Sequence, residues 1–81
     1  MDMSVITPQG VTNHKEVDRI TIPGSLGTFT ILKGHAPLIS KITKGKINFR
    51  TNNNTEEIEV ENGIVEVKNN TVRLFMEQSE K

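Results

Sequence analysis

Val65-Glu66-Val67-Lys68-Asn69-Asn70-Thr71-Val72-Arg73-Leu74 is the stretch whose reading decides the fold. Apolar and polar residues alternate on both sides of an Asn-Asn pair, which is the period of a half-buried strand and not that of a helix. Asn tolerates the positive φ that a two-residue hairpin turn demands. With Asn69 and Asn70 in the turn, Val67 faces Val72 and Val65 faces Leu74 on one side, while Glu66 faces Arg73 on the other. A slip of one residue would scatter these partners, so the hairpin specifies its own register.

The same period recurs outward from the hairpin. Met3 and Val5, Ile20 and Ile22, Phe29 and Ile31, Ile47 and Phe49, Ile58 and Val60, and finally Met76 continue the alternation. Pro23-Gly24, Lys33-Gly34, Lys44-Gly45, Asn52-Asn53-Asn54 and Asn62-Gly63 interrupt it with turn chemistry. No segment carries a convincing helical period. Antiparallel strands with one apolar face, too many for a lone sheet in so small a chain, imply two sheets packed face to face or a flattened barrel. The expected fold class is therefore all-β, a small antiparallel β-sandwich over residues 1–76 with a short polar tail at 77–81.

Composition narrows what such a sandwich can do. The chain has 81 residues, 33% hydrophobic and 4% aromatic, the aromatics all Phe. A domain of this size buries only roughly 60–65% of its unfolded surface, so the core is thin and a binding surface is expected rather than a deep cavity. Ten basic residues balance ten acidic ones, which argues against the basic field that nucleic acids or anionic membranes reward. With no Trp or Tyr there is no stacking platform for single strands either. The absence of Cys excludes disulfides, thiol catalysis and Cys-based zinc sites. Met1-Asp2-Met3-Ser4 lacks the basic and apolar regions of an export signal, and no stretch is long and apolar enough for a helix to span a bilayer. The Asn-Asn-Thr sequons at Asn53 and Asn69 therefore carry no glycan reading.

The residues also offer little chemistry. His14 and His35 lie far apart in sequence, with no ligand at metal spacing. Ser4, Ser25, Ser40 and Ser79 lack a nucleophile-elbow frame, and Lys44-Gly45-Lys46 lacks the rest of a phosphate loop. Charge is segregated: Lys33, Lys41, Lys44, Lys46 and Arg50 occur without an intervening acid, and Glu56, Glu57, Glu59, Glu61 and Glu66 without an intervening base. Such runs read as solvated faces and guarded strand edges, with electrostatic docking onto a partner as the sharper alternative.

Gly34-His35-Ala36-Pro37-Leu38-Ile39 is, physically, a turn Gly, a residue held extended before Pro, and the start of an apolar strand. As a sequence it closely resembles the GHAPLL segment of the epsilon subunits of F-type ATP synthases, called delta in mitochondria. Thr7-Pro8-Gln9-Gly10, Glu16-Val17 and Pro23-Gly24-Ser25-Leu26-Gly27 are similar to the family's PEG…GEV…PG(T/S)xG pattern, in register and without gaps. Asn62-Gly63-Ile64-Val65-Glu66-Val67 resembles its GGILEV, and Thr71-Val72 the NVTV that follows. Lys33 stands where the family usually has Pro, Thr30 where it has Gly, and Asn13 and Lys15 replace a common Phe and Gly.

The resemblance implies a sandwich of about ten short strands at the foot of the rotor's central stalk. In that reading it binds the gamma subunit, rests on the c subunits of the membrane rotor ring, and couples ion-driven rotation to ATP synthesis. Ser25, Leu26, Gly27, Thr28 and Phe29 would face the ring, and His35, Ala36, Pro37, Leu38, Ile39 and Ser40 would face gamma. The chain would be a non-catalytic subunit without cofactor or metal, peripheral on the cytoplasmic face of the bacterial inner membrane and not inserted in it. In most bacterial relatives two C-terminal helices follow the sandwich and in some they bind ATP. Here only Glu77-Gln78-Ser79-Glu80-Lys81 follows the last expected strand, so neither the inhibitory hairpin nor ATP binding is expected. Two other classes remain readable in the residues: a free-standing β-barrel adaptor binding a peptide along a sheet edge, and a small hydrolase or ligand-binding barrel. The adaptor requires an exposed unpaired strand, the enzyme a pocket with convergent polar groups.

Overall fold

The computed structural model describes residues 1–77. They form nine strands and no helix: β1 (Asp2–Thr7), β2 (Gly10–His14), β3 (Val17–Gly24), β4 (Gly27–Leu32), β5 (Leu38–Ile42), β6 (Gly45–Thr51), β7 (Asn54–Val60), β8 (Asn62–Lys68) and β9 (Thr71–Glu77). The all-β sandwich expected from the alternation is therefore the fold, with nine strands described rather than ten. The strand order is β2-β1-β9-β8-β5-β3-β6-β7, and β4 lies on the other edge of β3. A single pair, Gly24 with Ile42, joins β3 to β5. The curled sheet is thus two layers, β2-β1-β9-β8-β5 and β4-β3-β6-β7, folded over one core.

The β8–β9 hairpin has the anticipated register. Val67 faces Val72, Val65 faces Leu74 and Glu66 faces Arg73. Asn69 and Asn70 have φ of 52° and 59°, the left-handed values that Asn accepts more readily than other side chains with a Cβ. Asn52 and Asn53, at 50° and 67°, repeat the device between β6 and β7.

Three expectations need correction. The sheet is not wholly antiparallel, because β1 runs parallel to β9 from the pair Asp2–Thr71 to the pair Ile6–Phe75. A parallel pair joins segments from opposite ends of the chain, and no local turn announces it. Pro23 and Gly24 belong to β3, and the turn is Ser25-Leu26. Pro is admissible there because its missing N–H faces away from β4, and its carbonyl accepts the Thr43 N–H at 2.8 Å. Asn62-Gly63 likewise opens β8, and the bend falls at Glu61. A Cβ on Gly63 would collide with the Phe75 carbonyl oxygen on the neighbouring strand. The glycine is therefore an element of sheet packing and not of a turn. Glu77 closes β9, so of the expected polar tail only residues 78–81 lie outside the described region.

Both layers contribute to one apolar cluster. Met3, Val5, Ile42, Val65, Val67, Val72, Leu74 and Met76 come from the five-stranded layer, and Val17, Ile20, Ile22, Ile31, Ile47, Phe49 and Val60 from the four-stranded one. Each fully buried aliphatic of this kind contributes about 1.5–3 kcal/mol of transfer free energy. Phe29, Leu38 and Ile58 are half-buried at its margin. No polar or charged side chain is buried among the described residues, and the buried N-terminal ammonium of Met1 donates to the Val17 carbonyl at 3.0 Å.

Candidate docking surface

Chemistry excluded from the core must be sought on the surface, beginning with the segment between β3 and β5. Ser25 and Leu26 turn the chain at the tip of the β3–β4 hairpin, where Leu26 is fully exposed. A large aliphatic at this hairpin tip buries nothing within the domain. After β4, Gly34 takes φ of 79°, a left-handed value suited to glycine. Its N–H donates to the Oδ1 of Asn70 at 3.2 Å, tying this loop to the turn of the β8–β9 hairpin. The His35 N–H donates to the Leu32 carbonyl at 3.0 Å. The ring Nδ1 of His35 lies 2.7 Å from the Ala36 carbonyl oxygen, a contact that requires the proton on Nδ1. His35 thus braces the bend with both its backbone and its ring. Ala36 and Pro37 are exposed, Leu38 packs on the core margin, and Ile39 is 72% exposed on the outer face of β5.

The fold brings the two sequence-predicted segments together. Gly24 to Phe29 line a shallow depression of about 250 Å³ together with Leu38 and Ser40. Its floor is Phe29 and Leu38, and its rim is the exposed turn. His35, Ala36, Pro37 and Ile39 do not line it.

The segregated charges are largely consumed within the domain. β6 pairs with β7 so that Lys46 lies opposite Glu59 and next to Glu57, 3.7 Å from its carboxylate. Lys44 reaches Glu61 at 3.8 Å and Arg50 reaches Asp18 at 3.9 Å. Exposed pairs of this kind are worth about 0–1 kcal/mol. The solvated-face reading of these runs is the one their geometry supports. His14 is likewise accounted for by packing, its ring tilted against Phe49 at a centroid distance of 4.8 Å.

A second surface escaped the sequence reading. On the outside of the five-stranded layer, Ile64 lies opposite Phe75, Phe75 opposite Ile6, and Ile6 opposite Val11. An apolar row therefore crosses β8, β9, β1 and β2 directly in register. Its members occupy the solvent phase of an alternation whose other phase fills the core. The signal existed as apolar residues in outward positions, but only the parallel β1–β9 pairing aligns them.

With this geometry in place, relatives can be compared. The sequence pattern of the family described as "ATP synthase, Delta/Epsilon chain, beta-sandwich domain" matches residues 1–81. The chain belongs to that family. The ATP synthase epsilon chain of Leptospira borgpetersenii is 40% identical over 75 residues, covering 93% of this chain and 59% of the relative. That of Desulfitobacterium hafniense is 36% identical over 78 residues, covering 96% and 59%. This delta/epsilon sandwich therefore spans about three-fifths of the length of the curated relatives it matches. The fold is shared with a chain of the central stalk and c-ring structure of the Tetrahymena thermophila mitochondrial ATP synthase. That likeness has a TM-score of 0.84 at 19% identity, over 96% of this chain and 63% of the other.

Proposed function

We propose that this delta/epsilon sandwich is a non-catalytic rotor piece of an ATP synthase. It docks on the gamma subunit through His35 to Ser40 and on the c-subunit ring through the Ser25 to Phe29 turn. It sits peripherally on the cytoplasmic face of a bacterial membrane, and its work is mechanical, passing torque between ring and gamma during ATP synthesis. One observation carries the reading. The Gly24 to Phe29 turn, tipped by a fully exposed Leu26, and the β5 segment, through Leu38 and Ser40, converge on one shallow depression, while no polar or charged side chain is buried among the described residues. A rigid sheet braced at Gly34 and Asn70 suits an interface that must bear shear.

The test separates the two surfaces. Leu26→Asp is expected to weaken capture by the purified ring at least tenfold and to spare gamma, with Ile39→Asp doing the reverse. Neither residue is buried, so both variants should melt like the parent chain. Affinities unchanged in both folded variants would show that these segments are not the docking surfaces.

A further inference from the structure

The two layers have four edges with different chemistry, of which β5, joined to β3 by the single pair Gly24–Ile42, is guarded by Lys41 and by Pro37 just before it. β2 ends the strand order on one side and β7 on the other, while β4 pairs only with β3. β7 carries Glu56, Glu57 and Glu59, a run of like charge that repels a second strand. β2 is short and contains Gly10 and Asn13, both weak strand formers. β4 is Gly-Thr-Phe-Thr-Ile-Leu, without a charge or a proline and rich in strand-forming residues. It is the unguarded edge.

The register identifies which backbone groups β4 leaves open. Gly24 and Gly27 close the hairpin, so Gly27, Phe29 and Ile31 bond inward to β3, and Thr28, Thr30 and Leu32 point their backbone groups outward. Two bonds agree with this phase: the Pro23 carbonyl, opposite Thr28, is taken by Thr43, and the Leu32 carbonyl is taken by His35. All three outward residues are exposed. Among the described residues no partner strand covers this edge.

We infer that β4 pairs antiparallel with β4 of a second copy of the chain, forming a two-fold dimer with one continuous sheet across the interface. The edge is self-complementary about Thr30. With Thr30 opposite Thr30, Thr28 faces Leu32 of the other copy and Phe29 faces its Ile31. The outward groups of the two Thr30 residues meet, the Leu32 N–H meets the Thr28 carbonyl, and the Leu32 carbonyl stays with His35. The Phe29–Ile31 pair makes no backbone bond across the seam. Thr-Thr and aromatic-aliphatic cross-strand pairs are favourable, and no like charges are opposed. The same operation on β7 would set glutamates near glutamates. Because the operation is two-fold, the pairing closes at two copies and does not propagate. The dimer also covers Thr28 and Phe29. If the ring docks there as proposed above, the free subunit and the assembled one use the same surface in turn, and that clause alone rests on the proposed function.

The decisive measurement contains no rotor component. Light scattering or sedimentation of the chain from micromolar to millimolar concentration should show the 9.1 kDa mass rising toward double. Thr30→Lys, which places two charges face to face, and Thr30→Pro, which removes an outward N–H without touching the β3 ladder, should hold the single-chain mass throughout. Glu57→Lys, on the β7 edge, should leave the dimer unchanged. In the parent chain the amides of Thr30 and Leu32 should exchange more slowly as concentration rises. That readout decides alone if a Thr30 variant fails to fold. A single-chain mass over the whole range, assemblies larger than two, or a dimer with those amides unprotected would overturn the inference. The first of these would leave the edge to a strand from a different protein.

Discussion

The β8–β9 hairpin and the β3–β5 segment are both built from short strands and tight turns, yet they spend their apolar residues in opposite ways. In the hairpin Val65, Val67, Val72, Leu74 and Met76 are all buried, and the exposed partners Glu66 and Arg73 pair with each other at 3.4 Å. In the segment, Leu26, Leu32 and Ile39 stand in solvent. The hairpin sends most of its apolar side chains into the core and leaves only Ile64 and Phe75 part-exposed, whereas the segment leaves three in solvent, of which the proposed docking would cover Leu26 and Ile39. Conformational stability should therefore be concentrated in the first region and association in the second.

The largest effect expected from this contrast is at Leu74, fully buried between the layers. Leu74→Ala should cost about 2–5 kcal/mol in urea unfolding, a large share of the stability of so small a domain. A loss below about 1 kcal/mol, of the size ordinary at lightly packed sites, would mean that the hairpin does not anchor the core. Next comes Asn70, where the two regions touch. Asn70→Val puts a β-branched residue at φ of 59° and removes the acceptor of the Gly34 N–H, for a loss of about 1–3 kcal/mol. Asn70→Gly keeps the conformation and deletes only that hydrogen bond, so it should lose no more than about 0.5–1.5 kcal/mol. Equal losses in the two variants would assign the whole effect to the link between the regions and none to the turn. A double-mutant cycle on Glu66 and Arg73 should find a smaller coupling, about 0.2–1 kcal/mol, fading in high salt. Leu26→Asp should be the least consequential for folding, within about 0.5 kcal/mol of the parent. A clear drop in its melting temperature would erase the distinction between the regions.

How much could be read in advance follows the same division. The β8–β9 register was legible because its determinants lie within ten consecutive residues: a turn that Asn can make, and side chains that sort by polarity in one phase only. The convergence of Ser25–Phe29 with Leu38 and Ser40 was not legible from physics, since the segments are joined by a bend whose path depends on Asn70, far along the chain. The resemblance to a family singled out those residues but not their meeting. The outer apolar row was hidden for a related reason. Ile6, Ile64 and Phe75 each look like an ordinary exposed residue on its own strand, and their alignment exists only through long-range pairing. Pro23-Gly24 and Asn62-Gly63 misled because turn residues also serve strands, one by presenting no N–H and the other by presenting no side chain.

The parallel pairing of β1 with β9 has a consequence for the life of the chain on the ribosome. β1 is made long before its parallel neighbour β9, so Met3 and Val5, which end up buried between the layers, lack that flank of the interior until Val72 and Leu74 have been translated. The β3–β4 and β6–β7 hairpins can zip early because their partners are adjacent. β1 can likewise zip with β2, but its apolar face stays uncovered until β9 is made. Closure of the domain is then a late, non-local event, slow relative to hairpin formation. During synthesis the nascent chain is most exposed to chaperones, or to misassembly with a neighbouring copy, along β1.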